Sequence, residues 1–161
     1  QIGIRNPQGM YLSPFDDEVY ISNHGAKGGD FFGKVEFGGN YGWKIIGWGG
    51  TNYTGTKIGD GTAWKANFTK PLWTWTPSIA PSNILIYNGD LYPEWKGDVF
   101  ITSLKYKTLY KLNFKNNEVL SQNIIFEDLI GRIRDIEVNS KGEIFLINSN
   151  SSASLWKMSK K

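Results

Sequence analysis

Read for alternation of apolar and polar positions, the chain yields one short strand after another. Runs with this character cover residues 10–13, 18–23 and 32–37, and an aromatic segment, 41–48, follows them. A stretch rich in Gly, Thr and Asn, 49–62, then reads as a long surface loop that ends by about residue 70. Strands resume at 72–75, 83–87, 98–104 and 108–114, where Lys115-Asn116-Asn117-Glu118 makes a hairpin turn into 119–126. The last part gives 132–138, a turn at 139–142, and strands at 143–148 and 154–158. No helix longer than about two turns is required anywhere.

A repeat lies inside this pattern. Residues 83–87, followed by a middle run from Gly97 to Ser103 and then Leu109-Tyr110-Lys111-Leu112, resemble 133–138, the run from Gly142 to Asn148, and Leu155-Trp156-Lys157-Met158. Residues 10–13 followed by 18–23 form a third, weaker copy. Val99 and Ile144 are 45 positions apart, and Val19 and Val99 are 80 apart with the long loop between them. A period of roughly 40 to 50 residues carrying four short strands is the signature of propeller blades. The middle strands are continuously apolar because neighbouring blades cover both their faces. The expectation is an all-β chain of about three blades, each a four-stranded antiparallel sheet, forming an open half of a propeller.

Composition sharpens this picture in a few places. The 161 residues are 40% hydrophobic and include 7 Trp, 8 Tyr and 9 Phe, which is ample for a core and excludes intrinsic disorder. With 19 Gly and 6 Pro the chain favours many turns over long helices. A net charge of +3, without a basic block, gives no reason to expect a nucleic-acid partner. No apolar window is long enough to span a membrane as a helix. There is no Cys, hence no disulfide framework and no thiolate metal site. The chain opens at Gln1 directly in structured sequence and is expected to be cut from something longer.

The candidate chemistry is cationic. Arg5 and Asn6, Lys105, and Arg132 with Arg134 recur at strand edges or in turns that enter strands. Arg132 and Arg134 flank Ile133 and so point to the same side, where they can clamp one anion together. If the blades are radial, such positions converge near one axis; the ordinary alternative is that these are solvated surface charges. His24, the only histidine, stands in a Gly-rich turn ending at Asp30, whose oxygens could meet a hard cation such as Ca²⁺; a plain hairpin loop fits the same residues. Tyr41, Trp43, Trp73 and Trp75 could stack on sugar rings or simply pack the blades. No nucleophilic triad, HExxH, Walker A or GxGxxG pattern is present.

Six ordered motifs carry a family resemblance: Arg5 to Met10, His24-Gly25 with Gly28-Gly29-Asp30, Asn40 to Trp43, Trp75 to Ser82, Thr102 to Lys105, and Gly131 to Asp135. Together they resemble the soluble quinoprotein aldose dehydrogenases of the glucose/sorbosone dehydrogenase family, six-bladed propellers that use pyrroloquinoline quinone. The resemblance covers nearly the whole chain and implies that residues 1–161 are the C-terminal portion of one propeller. It implies that Arg5, Asn6, Lys105, Arg132 and Arg134 hold the cofactor's carboxylates and quinone oxygens, with Ser78, His24 and Asp30 completing the pocket. Carbonyls of Gly25 and Ala26 would ligate Ca²⁺, and Tyr41 would contribute to a second calcium, although Phe31 replaces an acidic residue usual in the family. The substrate would be an aldose, oxidised at its anomeric carbon, and the location periplasmic or secreted. The general base is expected upstream, so the chain alone should be inactive and should pair with a missing N-terminal half or a second copy. The competing expectation is a non-catalytic propeller that serves as a sugar-binding or protein-interaction scaffold.

Overall fold

Each β-branched or aromatic run between Gly, Asn and Asp turns becomes a short antiparallel strand in the computed structural model, which describes residues 1–160. Strands β1 (Pro7–Leu12), β2 (Val19–Asn23), β3 (Asp30–Lys34) and β4 (Trp73–Trp75) form the first sheet in sequence order. The second sheet is β5 (Pro81–Ile86), β6 (Val99–Ser103), β7 (Thr108–Lys115) and β8 (Glu118–Glu127). The third comprises β9 (Ile133–Val138), β10 (Ile144–Asn148) and β11 (Leu155–Met158), three strands among the described residues. Val19, Val99 and Ile144, the landmarks of the repeat, are each the first residue of a second strand. The one helical element among the described residues is a 3-10 turn at Pro93–Trp95, and none is long and apolar enough to cross a membrane.

Alternation along the strands explains the two main cores. Val99 and Ile101 of β6 face the first sheet, packing with Tyr20, Phe32 and Ile84. Phe100 of the same strand faces the third sheet, packing with Leu85, Ile133 and Leu146. A strand covered on both sides has no polar face, which is why its sequence is continuously apolar. The first strands of the three sheets lie side by side. Gly9 makes this possible in β1: a Cβ there would stand 2.8 Å from the Asn83 Cα of β5. From β5 the Asn83 amide donates to the Asp135 carboxylate of β9, and the Ser82 hydroxyl donates to the Ile133 carbonyl at 2.6 Å. Because successive residues of β5 meet successive positions of β9, these two strands run in the same direction.

The aromatic segment 41–48 forms no strand. Gly42 (φ +78°), Trp48 (φ +49°) and Gly49 (φ +86°) interrupt any extended run, and Tyr41 to Gly50 is a series of turns. The strandless excursion therefore runs from the end of β3 to the start of β4, longer than the loop of 49–70 expected from composition. It is held by buried side chains of its own, Tyr41, Ile46, Ile58 and Phe68. Its only pairings among the described residues are single bridges, Ile2 with Asn40 and Thr51 with Lys57.

Candidate functional site

Register fixes which residues share an end of the molecule. Pro7 pairs with Asn23, Pro81 with Ser103, and Ile133 with Asn148. The residues entering β1, β5 and β9 therefore lie beside those leaving β2, β6 and β10. Arg5 and Asn6, the 24–29 loop, Ser78, Lys105, Arg132 and Arg134 all occupy this end. Hydrogen bonds tie these segments together, among them Ser78 N–H donating to the Lys27 carbonyl at 3.2 Å. His24 Nε2 meets the Pro81 carbonyl at 2.6 Å, so that nitrogen carries the proton, and Lys105 Nζ donates to the Ser78 carbonyl at 3.0 Å.

The cations here lack acidic partners. Six ion pairs form among the described residues, and they use other lysines: Lys34, Lys65, Lys96, Lys111, Lys157, and Lys107, which shares the β6–β7 turn with Lys105 and pairs with Asp128. Arg5, Lys105, Arg132 and Arg134 are in none of them. Arg132 and Arg134 are exposed on either side of the buried Ile133, so both project to one side. The turn before them is rigid, because the side-chain amides of Asn148 and Asn150 donate to the Ile130 carbonyl at 2.7 and 3.3 Å. Asn6 is exposed; its carbonyl accepts from His24 N–H at 2.9 Å, and its side-chain oxygen accepts from Gln8 at 3.0 Å.

Asp30 has a different place from the other polar residues. It is fully buried, and its carboxylate accepts four hydrogen bonds: from Gly25 N–H at 2.7 Å, Ser78 Oγ at 2.6 Å, and the Ile79 and Ala80 N–H groups at 2.8 Å each. It joins the 24–29 loop to the turn that enters β5. In that loop Gly25 and Ala26 are buried, and neither carbonyl accepts a hydrogen bond among the described residues. Orphaned carbonyls of this kind suit a hard cation. No cluster of three or more His, Cys, Asp or Glu offers an alternative metal site among the described residues. The loop is clamped from outside by the 47–50 turn, where Gly29 (φ +77°) approaches Gly47 so closely that a Cβ would meet its carbonyl oxygen.

Tyr41 sits away from this end, in a small core with Ile21 and Phe31. Its hydroxyl donates to the Lys34 carbonyl at 2.5 Å and its own carbonyl accepts from Trp48 Nε1 at 2.9 Å. Burial, with Glu36 nearby, pushes its phenol well above the ordinary value. Phe31 packs against it with ring centres 4.5 Å apart and planes tilted by 35°. Both oxygens of Tyr41 are thus engaged in the fold, and an aromatic ring fills the place beside them.

Two contacts to Arg5 were not foreseen from the sequence. Its guanidinium carbon lies 5.3 Å from the centre of the Trp43 ring and 5.7 Å from that of Tyr53. Trp43 stood out in its motif, whereas nothing marks Tyr53, which belongs to a Gly- and Thr-rich loop.

Radially adjacent antiparallel meanders define a β-propeller segment, and cations gather at one of its ends. The chain belongs to the glucose/sorbosone dehydrogenase family, whose sequence model matches residues 1–157. It is 35% identical over 158 residues to the aldose sugar dehydrogenase YliI of Escherichia coli, covering 98% of this chain and 42% of that protein. A crystal structure of a glucose dehydrogenase superposes with a TM-score of 0.93 at 29% identity, covering 99% of this chain and 46% of the other. The soluble aldose sugar dehydrogenase of E. coli, in its apo form, gives 0.86 at 33% identity, with 96% and 45% covered. The chain thus spans less than half the length of these relatives.

Proposed function

We propose that this chain is the cofactor-clamping part of a quinoprotein oxidoreductase that acts on aldose sugars. The observation that carries the reading is the set of four cations, Arg5, Lys105, Arg132 and Arg134, gathered at one end of three sheets with no acidic partner. Unpaired guanidinium groups favour planar carboxylates, which they bind through paired N–H donors, and pyrroloquinoline quinone carries several. Asn6 and the His24 and Ser78 turns line the same end, and Asp30 acts behind them by fixing both turns.

The free carbonyls of Gly25 and Ala26 fit one Ca²⁺ beside the cofactor. A second calcium at Tyr41 has less support, since both its oxygens are engaged. When bound, the quinone supplies a two-electron acceptor for hydride from the anomeric carbon of an aldose. This chain's own residues bind and orient that group, and the Arg and Lys heads stabilise negative charge that develops on its oxygens. His24 donates from Nε2 to the Pro81 carbonyl and so is held in place, and the family resemblance puts the general base upstream of this chain. A positioned general base contributes ~10²–10⁴-fold in rate, so the chain alone is expected to lack dehydrogenase activity. The rest of the propeller, or a second copy, would supply the remaining wall; the family resemblance puts such an enzyme in the periplasm or outside the cell.

Calorimetric titration with pyrroloquinoline quinone and Ca²⁺ tests this, using the chain alone and joined to the remaining blades. Binding at micromolar concentration or tighter, weakened about tenfold or more by Arg134→Ala, is the expected result. Absence of binding in both forms would leave a scaffold propeller as the reading.

A further inference from the structure

Arg5 is held by aromatic faces more than by hydrogen bonds. Its one hydrogen bond is long, 3.5 Å from Nη1 to the His24 carbonyl. The Trp43 and Tyr53 rings both approach the guanidinium carbon. A guanidinium carries five N–H donors in its own plane. Rings that attract it through their π-faces leave those donors available.

Both rings come from the strandless excursion, and both are anchored. Trp43 N–H donates to the Gly3 carbonyl at 3.0 Å, and Lys27 N–H donates to the Thr51 carbonyl at 2.9 Å. The Asn52 side-chain amide closes the small hairpin around Tyr53 by donating to the Lys57 carbonyl at 2.9 Å. Tyr53 itself is 70% exposed, so it does little for the core.

We propose that Trp43 and Tyr53 are positioning residues that fix the plane of Arg5 for a planar polycarboxylate ligand, a role that rests on the quinone reading above. The excursion between β3 and β4 is then part of the binding apparatus and not a spacer.

The test is a double-mutant cycle read by calorimetry with pyrroloquinoline quinone, in the form of the protein that binds it. Tyr53→Ala should weaken binding roughly two- to fivefold, the scale of an exposed cation–π contact, while Tyr53→Phe retains the affinity and the thermal midpoint is unchanged in both. In an Arg5→Ala background Tyr53→Ala should have no further effect. Unchanged affinity in Tyr53→Ala overturns the proposal while leaving the quinone reading intact. Equal losses in both backgrounds also overturn it, because Tyr53 would then touch the ligand itself. Absence of quinone binding by the unmutated protein removes the quinone reading and the positioning role together.

Discussion

A carboxylate taken out of water with no cation beside it must be held by hydrogen bonds, and Asp30 receives four of them, three from backbone N–H groups. Asparagine in its place would turn an amide NH₂ toward donors. Leaving one or two buried donors unmatched costs about 1–3 kcal/mol each. Asp30→Asn is therefore expected to destabilise the chain by on the order of 3 kcal/mol in urea unfolding and to weaken quinone binding. At this scale the residue types were legible in the sequence: Arg5, Lys105, Arg132 and Arg134 stand out as cations at turn and strand-edge positions. The inward direction of Asp30 was not legible, because a Gly-rich loop does not reveal which way its acid points. Nor was the embrace of Arg5 by Tyr53, which depends on a loop folding back across 48 positions of sequence.

Among the elements, β6 was the most readable, since burial on both faces leaves a run without polar interruption; β10 carries the same apolar run, although Phe145 is half-buried and Ile147 is exposed on its outer face. The segment 41–48 reads as apolar for a related reason: Tyr41 is buried and Trp43 and Trp48 are half-buried, but in turns whose positive φ values a hydrophobicity pattern does not express. The β10–β11 hairpin carries a pH dependence. Lys157 Nζ lies 2.9 Å from Glu143 Oε1 and the Asn139 amide donates to Oε2 at 2.7 Å, holding the Glu143 carboxyl below its ordinary value. A depressed acid stabilises the folded form above its unfolded pKa, and this contribution disappears as pH falls through the folded value. Amide protection in β10 and β11, corrected for intrinsic exchange, is thus expected to fall as pH drops through and below the glutamate range, near 4. Glu143→Gln should flatten that dependence.

For the whole molecule, the repeat made the blade count readable from sequence alone, because each blade repeats the same spacing of apolar runs. The gathering of charges at one end was an inference from a radial arrangement of blades until strand register supplied its geometry. Exposed apolar residues remain outside the cores: Ile2 ahead of the first sheet, Met10 and Leu12 on it, and Leu155 and Trp156 on the third. Patches of this kind on both outer flanks favour association. Multi-angle light scattering of the chain alone is expected to show species heavier than 18.2 kDa; a single monomeric peak across micromolar concentrations would contradict this.

The close approach of Gly9 to Asn83, and the Asn83–Asp135 hydrogen bond, act as a hinge pin for three sheets. The cations lie within four residues of that pin on β1 and β9, Arg5 beyond Gly9 and Arg132 with Arg134 beyond Asp135. A wedge as small as a methyl group at position 9 would fan the sheets apart and separate these cations. On the proposed reading, affinity for the quinone then becomes a caliper for the angle between blades, sensitive to a substitution that touches no ligand.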